Sequence, residues 1–483
     1  MNLKPLLYLA LVLLLIVQGC RKDAVVIPDA KPDPKPDVTT PPKIVPFAVN
    51  NVLQSNMVIQ RDKPFTIWGM ATAGYKVTVK VSWNGNDFAG TADKDGNWAI
   101  AIPAASANST PQTITCKTGS EDPVVLANIL IGDVWVCAGQ SNMVMPVDMI
   151  APFNGVTNYK SEIAAADYPL IRASTVRQKL ASLPLSAFES PAGWDACSPA
   201  TVGKWSGVAY FFAQKLFNSL QVPIGIIVSG VNGSYCRDWS EGGDEFNGMI
   251  SPLNRLSIKG FIWYQGENDS HVTPASSYTS LNKTLISQWR AGFKQGALPF
   301  YYVQMTPFAE DYYQTTPEGG NLKSDYYARF REAQSNVRQM PNSGMAVTMD
   351  VGEPDNHHPK NKKPVGERLA LLALKNTYGL PVDCTGPQYL SWSQTGDKVT
   401  VNFISGTANG LNTLNNNTLN QHFYVAGADH VFRPVVAAIQ GKTIVLTTSA
   451  KVQAIRYAFT NAPVTNLQNS AGLPAEPFRT DNW

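Results

Sequence analysis

The chain is sparing with charge, histidine and cysteine. Of its 483 residues only 16% are charged, five are histidine and six are cysteine. The formal net charge is +3, which leaves no electrostatic basis for nucleic acid as a partner. None of Cys116, Cys137, Cys197, Cys236 and Cys384 is spaced as Cys-x-x-Cys, so neither a zinc knuckle nor a dithiol redox motif is supported. Their odd number leaves at least one free, Cys137 first among them, while disulfides among the others suit an envelope compartment. No internal repeat is evident. The one long apolar run, 6–17, falls short of the roughly 20 residues that a spanning helix needs. Glycine and proline are plentiful, 36 and 34 residues, as suits a loop-rich exported protein. A hydrophobic content of 44% argues against bulk disorder, and the length suggests two or three domains.

Lys4 precedes the apolar run, which ends Val17-Gln18-Gly19-Cys20. This start resembles a bacterial lipoprotein signal. The resemblance implies cleavage before Cys20, lipidation of its thiol, a lipid anchor to the membrane and a place in the bacterial cell envelope. Residues 1–19 are therefore expected to be the signal peptide. Residues 20–46, containing DAKPDPKPDVTTPPK, are Pro-rich and charged and read as an extended tether.

From 47 to 128 short runs with a two-residue period, around 65–69, 76–81 and 98–102, are separated by Ala73-Gly74, Asn84-Gly85 and Asp95-Gly96. They predict a β-sandwich. From 129 to 383 the rhythm becomes strand then helix. Strands are expected at 129–137, 223–231, 258–264, 299–305 and 345–351, and helices at 207–220, 277–293, 326–338 and 364–378. The fold class is then α/β: a three-layer α/β/α, flavodoxin-like domain with a five-stranded parallel sheet. Residues 384–483 turn β-rich again, with strands at 398–403, 422–425, 443–447 and 454–459. The last 25 or so residues, Pro-rich and polar, are expected to wrap over the surface.

In such sheets ligands bind past the carboxyl ends of the strands, and candidate chemistry collects there. The first strand runs into Gly139-Gln140-Ser141-Asn142-Met143, and the last into Asp355-Asn356-His357-His358. Met143 stands where the commonest serine-hydrolase elbow has its second glycine. Serine catalysis needs an imidazole within reach of the hydroxyl, a group that orients it, and donors for the oxyanion. His357 and His358 lie on a loop at the same sheet edge as Ser141, whereas His271, His422 and His430 are assigned to structure or surface.

The motifs GQSNM at 139–143, WYQGEND at 263–269 and HPKNKKPVGERLA at 358–370 resemble the sialate O-acetylesterase family of the SGNH (GDSL-like) hydrolase superfamily. So do QSNMVIQRDKPFTIWGMA before them and RYAFTNAP and GLPAEPFRTDNW after them. The resemblance covers nearly the whole mature chain. It implies Ser141 as nucleophile and His358, of the His-Pro pair, as general base. Asp355, three residues before His358, is the first choice for the orienting acid, with Glu267 of the Gln-Gly-Glu motif as its rival. Family members often carry an Asp two residues before the histidine, and here that position is Asn356. For the oxyanion the resemblance implies the N–H groups of Ser141 and Gly233 and the side chain of Asn268, with Gln265 as a substitute. Arg172, Arg237 and Arg368 are left unassigned.

The expected activity is a serine esterase that removes O-acetyl groups from carbohydrate through an acetyl-enzyme, with no cofactor and no metal. The O-acetylated carbohydrate is sialate by the family's name, or a plant polysaccharide such as xyloglucan or xylan. A non-catalytic, glycan-binding surface lipoprotein is the rival of another class. Metal-dependent deacetylation has only Asp355, His357 and His358 to draw on.

Overall fold

The computed structural model describes residues 44–309 and 325–483. The signal-like stretch, Cys20 and most of the tether lie outside the described residues. The described residues fall in one compact unit.

The organising element is β1, Val124–Gly139, sixteen residues whose last eleven are all buried. Its first half belongs to an N-terminal β layer. There Asn108–Thr118 pairs with it antiparallel and Val58–Gln60 pairs with it parallel. A second, three-stranded sheet of Ala48–Val49, Phe65–Met70 and Asn97–Ile102 completes that region. Strands at 65–70, 76–81 and 97–102 agree with the alternating pattern, which buries Ile67, Val77, Val79, Ile100 and Ile102. The expected junction at 128/129 falls within β1, and Asn128, at φ 57°, marks where the strand leaves one layer for the next.

The second half of β1 is the centre of a parallel array. Further strands are β2 (Tyr168–Thr175), β3 (Asp195–Cys197), β4 (Ile224–Gly230), β5 (Gly260–Tyr264), β6 (Phe300–Val303) and β7 (Ser343–Ala346). Their order is β3-β2-β4-β1-β5-β6-β7 within an eleven-stranded mixed sheet. Six of these run parallel and β3 is antiparallel, so the expectation of five parallel strands is corrected. The missed strand is β2. Its sequence YPLIRAST mixes Pro and Arg into the apolar run, and it is buried because Arg172 finds acceptors in the carbonyls of Asn56 and Asn128.

Helices cover both faces. Gly207–Leu220 and Lys363–Asn376 pack with Trp135, Cys137, Ile226, Ile262 and Tyr301 on one side. Ala275–Phe293 and Tyr326–Ser335 pack with Val136, Phe261, Trp263, Phe300 and Tyr302 on the other. Trp289 meets Trp263 edge-on at 5.6 Å, and Phe293 meets Phe261 at 5.1 Å. Such pairs each add about 0.5–1.5 kcal/mol beyond area burial. At the entry of the parallel sheet the fully buried carboxylate of Asp133 is held by Arg61 at 2.9 Å, Gln60 at 2.9 Å and the Tyr378 hydroxyl at 3.0 Å. A buried charge persists only when paired and hydrogen-bonded in this way, so the knot pins the N-terminal layer to the sheet.

The C-terminal region forms two four-stranded antiparallel sheets and a two-stranded one among the described residues. Lys398–Phe403 and Thr443–Thr447 fall at their expected bounds, and the neighbouring strands are Phe423–Ala426 and Ala454–Tyr457. The tail does not merely wrap the surface. Ala462, Leu467, Asn469, Leu473, Ala475 and Glu476 are buried. Glu476 accepts from the Arg338 guanidinium, Ser335 and Gln388, and polar residues in that pattern sink once each is paired. The five described cysteines are all free.

Candidate active site

Strand β1 ends at Gly139, where φ is +144° and a Cβ would stand 2.0 Å from the carbonyl oxygen of Tyr264 at the end of β5. Only glycine fits there. The Gln140 N–H then donates to that carbonyl at 3.0 Å, and the chain turns into a one-turn helix, Ser141–Val144. Ser141 is its first residue, so its own N–H has no intrahelical acceptor. The side chain is nearly buried at the rim between β1 and β5, where neighbouring connections diverge to opposite sides of the sheet.

His358 arrives on the loop after β7. Its Nε2 lies 2.8 Å from Ser141 Oγ. The loop is wired internally: the His358 N–H donates to Asn356 Oδ1 at 2.9 Å, Asn356 Nδ2 donates to Glu353 Oε2 at 2.8 Å, and the Lys360 N–H donates to Glu353 Oε1 at 2.7 Å. The rings of Phe153 and His357 stand edge-on to the imidazole at 5.2 and 4.6 Å. Burial, reinforced by the charges of His357 and Lys362, holds the His358 pKa down at about 4. The ring is therefore neutral at pH 7 and able to take a proton.

Asp355 does not orient that ring. It is exposed on the turn and makes no hydrogen bond or ion pair among the described residues. The charged groups that shift His358 are cationic, whereas an adjacent carboxylate would raise its pKa. The three-residue spacing is intact, but the loop turns at Pro354–Asp355 and directs the carboxylate to solvent. The expectation for Asp355 is corrected on this geometry.

Glu267 lies at the centre of the site. It opens a one-turn helix after β5 and is buried beside the Ser141 turn. Its Oε1 accepts from Asn142 Nδ2 at 2.5 Å, and Asn142 Oδ1 accepts from Lys362 Nζ at 2.5 Å. Oε2 of Glu267 is buried with no hydrogen-bond partner among the described residues. Burial pushes the Glu267 carboxyl above the usual range and pushes the Lys362 ammonium below it.

Ser141, Gly233, Glu267, Asn268, His357 and His358 all line one cavity of about 270 Å³. Gly233 sits at φ +70° with open space beside it, and its carbonyl accepts from Asn268 Nδ2 at 2.6 Å. The second hydrogen of that amide remains for a ligand. Gln265 is not brought to the cavity. Its Nε2 donates to Asp269 Oδ2 at 2.6 Å and to the Ser234 carbonyl at 3.2 Å, and its Oε1 accepts from the Tyr278 hydroxyl at 2.9 Å. It serves the packing behind the site.

Residues 131–375 match the family model for carbohydrate esterase, sialic acid-specific acetylesterase. The chain belongs to this family. Human sialate O-acetylesterase is 25% identical over 381 residues, covering 69% of this chain and 71% of that protein. The rat sialate O-acetylesterase is 24% identical over 530 residues, covering 89% and 94%. The crystal structure of a carbohydrate acetylesterase from Xanthomonas citri superposes with a TM-score of 0.82 at 32% identity, covering 90% of this chain and all of that one. As a member of the sialic acid-specific acetylesterase family, the chain is a carboxylic ester hydrolase.

Several residues of this esterase's cavity carry no local sequence signal. Phe153, Asn232 and Tyr327 come from three separate segments, and His271, assigned to surface or structure, lines the cavity with its Nε2 3.4 Å from the Tyr327 hydroxyl. Lys362 is fully buried. Its only trace in sequence is its position inside the HPKNKKP motif, where it reads as one of a run of solvated charges. The three arginines lie elsewhere: Arg172 on backbone carbonyls, Arg237 over the Tyr235 ring, and Arg368 in a two-pronged pair with Asp350 at 2.6 Å.

Proposed function

We propose that this carbohydrate esterase removes O-acetyl groups through an acetyl-enzyme on Ser141. The observation that carries the reading is the 2.8 Å approach of neutral His358 Nε2 to Ser141 Oγ inside the cavity. Ser141 Oγ attacks the acetyl carbonyl carbon while its proton passes to His358 Nε2. The resulting oxyanion is held by the N–H groups of Ser141 and Gly233 and by Asn268 Nδ2. Collapse breaks the bond to the sugar oxygen, which leaves with the proton from the imidazolium. Water, deprotonated by His358, then releases acetate and restores Ser141. Glu267, the rival carboxylate, bonds Asn142 beside the Ser141 turn rather than the His358 ring. Ser141→Ala is expected to lower the rate of p-nitrophenyl acetate hydrolysis by about 10⁴-fold or more. Equal rates in the two proteins would leave only a glycan binder.

The substrate on this reading is an O-acetylated carbohydrate, either sialate or a neutral plant polysaccharide. Acetate release from O-acetylated sialosides, xyloglucan and xylan decides between them. The chain is further proposed to be exported to a bacterial envelope and anchored through Cys20, on the pattern of residues 1–20. Mass spectrometry of the mature N-terminus tests this: an unmodified Cys20, or an uncleaved leader, would rule the anchor out.

A further inference from the structure

Asn142 and Lys362 are the two fully buried polar side chains next to the Ser–His pair to which the proposed reaction assigns no step. Asn142 directly follows the nucleophile, and its Nδ2 donates at 2.8 Å to the carbonyl of His357, the residue directly before the base. The same nitrogen donates to Glu267 Oε1. One amide therefore joins the serine turn, the end of β5 and the histidine loop, one residue away from each reacting side chain. Which way that amide faces decides whether the joint holds. A carbonyl and a carboxylate both require a donor, so nitrogen must point at them and oxygen must point away. Lys362 supplies the reason: its Nζ donates to Asn142 Oδ1 at 2.5 Å.

We propose that Lys362 is a positioning residue of the esterase, acting through Asn142 to hold Ser141 and His358 in register. The proposal rests on the Ser141–His358 reading given above. A flipped or loosened amide would set oxygen against oxygen at both Glu267 and His357, and the two loops would part. Misplacement of reacting groups by about 1 Å lowers rates by about a hundredfold.

The test is a double-mutant cycle on kcat for p-nitrophenyl acetate in the full-length enzyme, with thermal melts of each variant. Lys362→Met is expected to lower kcat about 10- to 100-fold with KM changed about twofold or less. Asn142→Ala is expected to lower kcat comparably, and the double variant no further than Asn142→Ala alone, as for residues that act as a unit. Lys362→Gln, which keeps a donor, should recover most of the loss. Asn142→Asp, which turns an acceptor toward Glu267 and the His357 carbonyl, should lose more than Asn142→Ala, and this comparison stands even if Lys362→Met does not fold. Losses that multiply in the double variant, or an Asn142→Asp protein as active as wild type, would overturn the proposal. Ser141→Ala is run beside them: full activity there sinks the Ser–His reading itself, whereas an inactive Ser141→Ala with a multiplicative cycle sinks only the role of Lys362.

Discussion

The acid side of the pH profile offers the sharpest test of the site's electrostatics. On the proposed mechanism His358 must be neutral to take the Ser141 proton, and burial, then the charges of His357 and Lys362, place its pKa at about 4. An unperturbed imidazole titrates near 6.5. At pH 5 a group titrating at about 4 is about 90% neutral, whereas one at about 6.5 is about 3% neutral. The structure therefore expects kcat/KM at pH 5 to stay close to its neutral value, roughly thirtyfold above what an ordinary histidine would allow. The assay is acetate release under kcat/KM conditions from pH 3.5 to 8, paired with NMR titration of labelled histidines in which the His358 signal is assigned by its loss in His358→Gln. An acid limb centred near 6.5, with the assigned ring titrating there too, would refute the burial that the geometry assigns. Stability follows the same group. The unfolded chain takes up a proton below about 6.5 that folded His358 refuses until about 4. Its contribution is thus fully present above that window and is lost as pH falls through it.

Gly139→Ala would drive a Cβ to 2.0 Å from the Tyr264 carbonyl oxygen at a φ of +144°, and is expected to destabilise by about 3 kcal/mol or more with activity abolished. Chemical denaturation measures it, and a wild-type midpoint would contradict the turn geometry. Asp355→Asn should leave kcat within about twofold of wild type, because the carboxylate faces solvent. A fall approaching the roughly 10⁴-fold loss seen when a true orienting acid is neutralised would reinstate it. Asn268→Ala is expected to lower kcat by about 10²- to 10³-fold with little change in KM. Steady-state kinetics showing kcat unchanged would remove Asn268 from the proposed oxyanion site.

Periodicity carried much of the fold. The apolar runs at β1, β4, β5 and β6 and the helix Gly207–Leu220 could be read directly, because a strand buried on both faces has nothing polar to interrupt it. β2 escaped because its burial depends on acceptors that the N-terminal layer brings to Arg172. The tail escaped for a related reason: Glu476 looks like a surface residue until Arg338, Ser335 and Gln388 close around it. In the site, GQSNM and the His-Pro pair were legible as motifs, whereas Gln265 and Asp355 have the right residue types in the right places and face away from the cavity.

The amino-acid order by itself determined where the chain turns from strand to helix, which strand ends carry Ser141, Gly233, Asn268 and His358, and to which family those motifs belong. These are properties of local pattern, since backbone preference and apolar spacing act over a few residues. Tertiary structure alone decided which carboxylate enters the site, that a lysine from a basic run lies buried against Asn142 of the serine turn, and that this asparagine ties the turn to the histidine loop. Those outcomes depend on the direction of each side chain and on partners more than a hundred residues away. Directional bonds in a buried place are settled only when every donor and acceptor around them is in position.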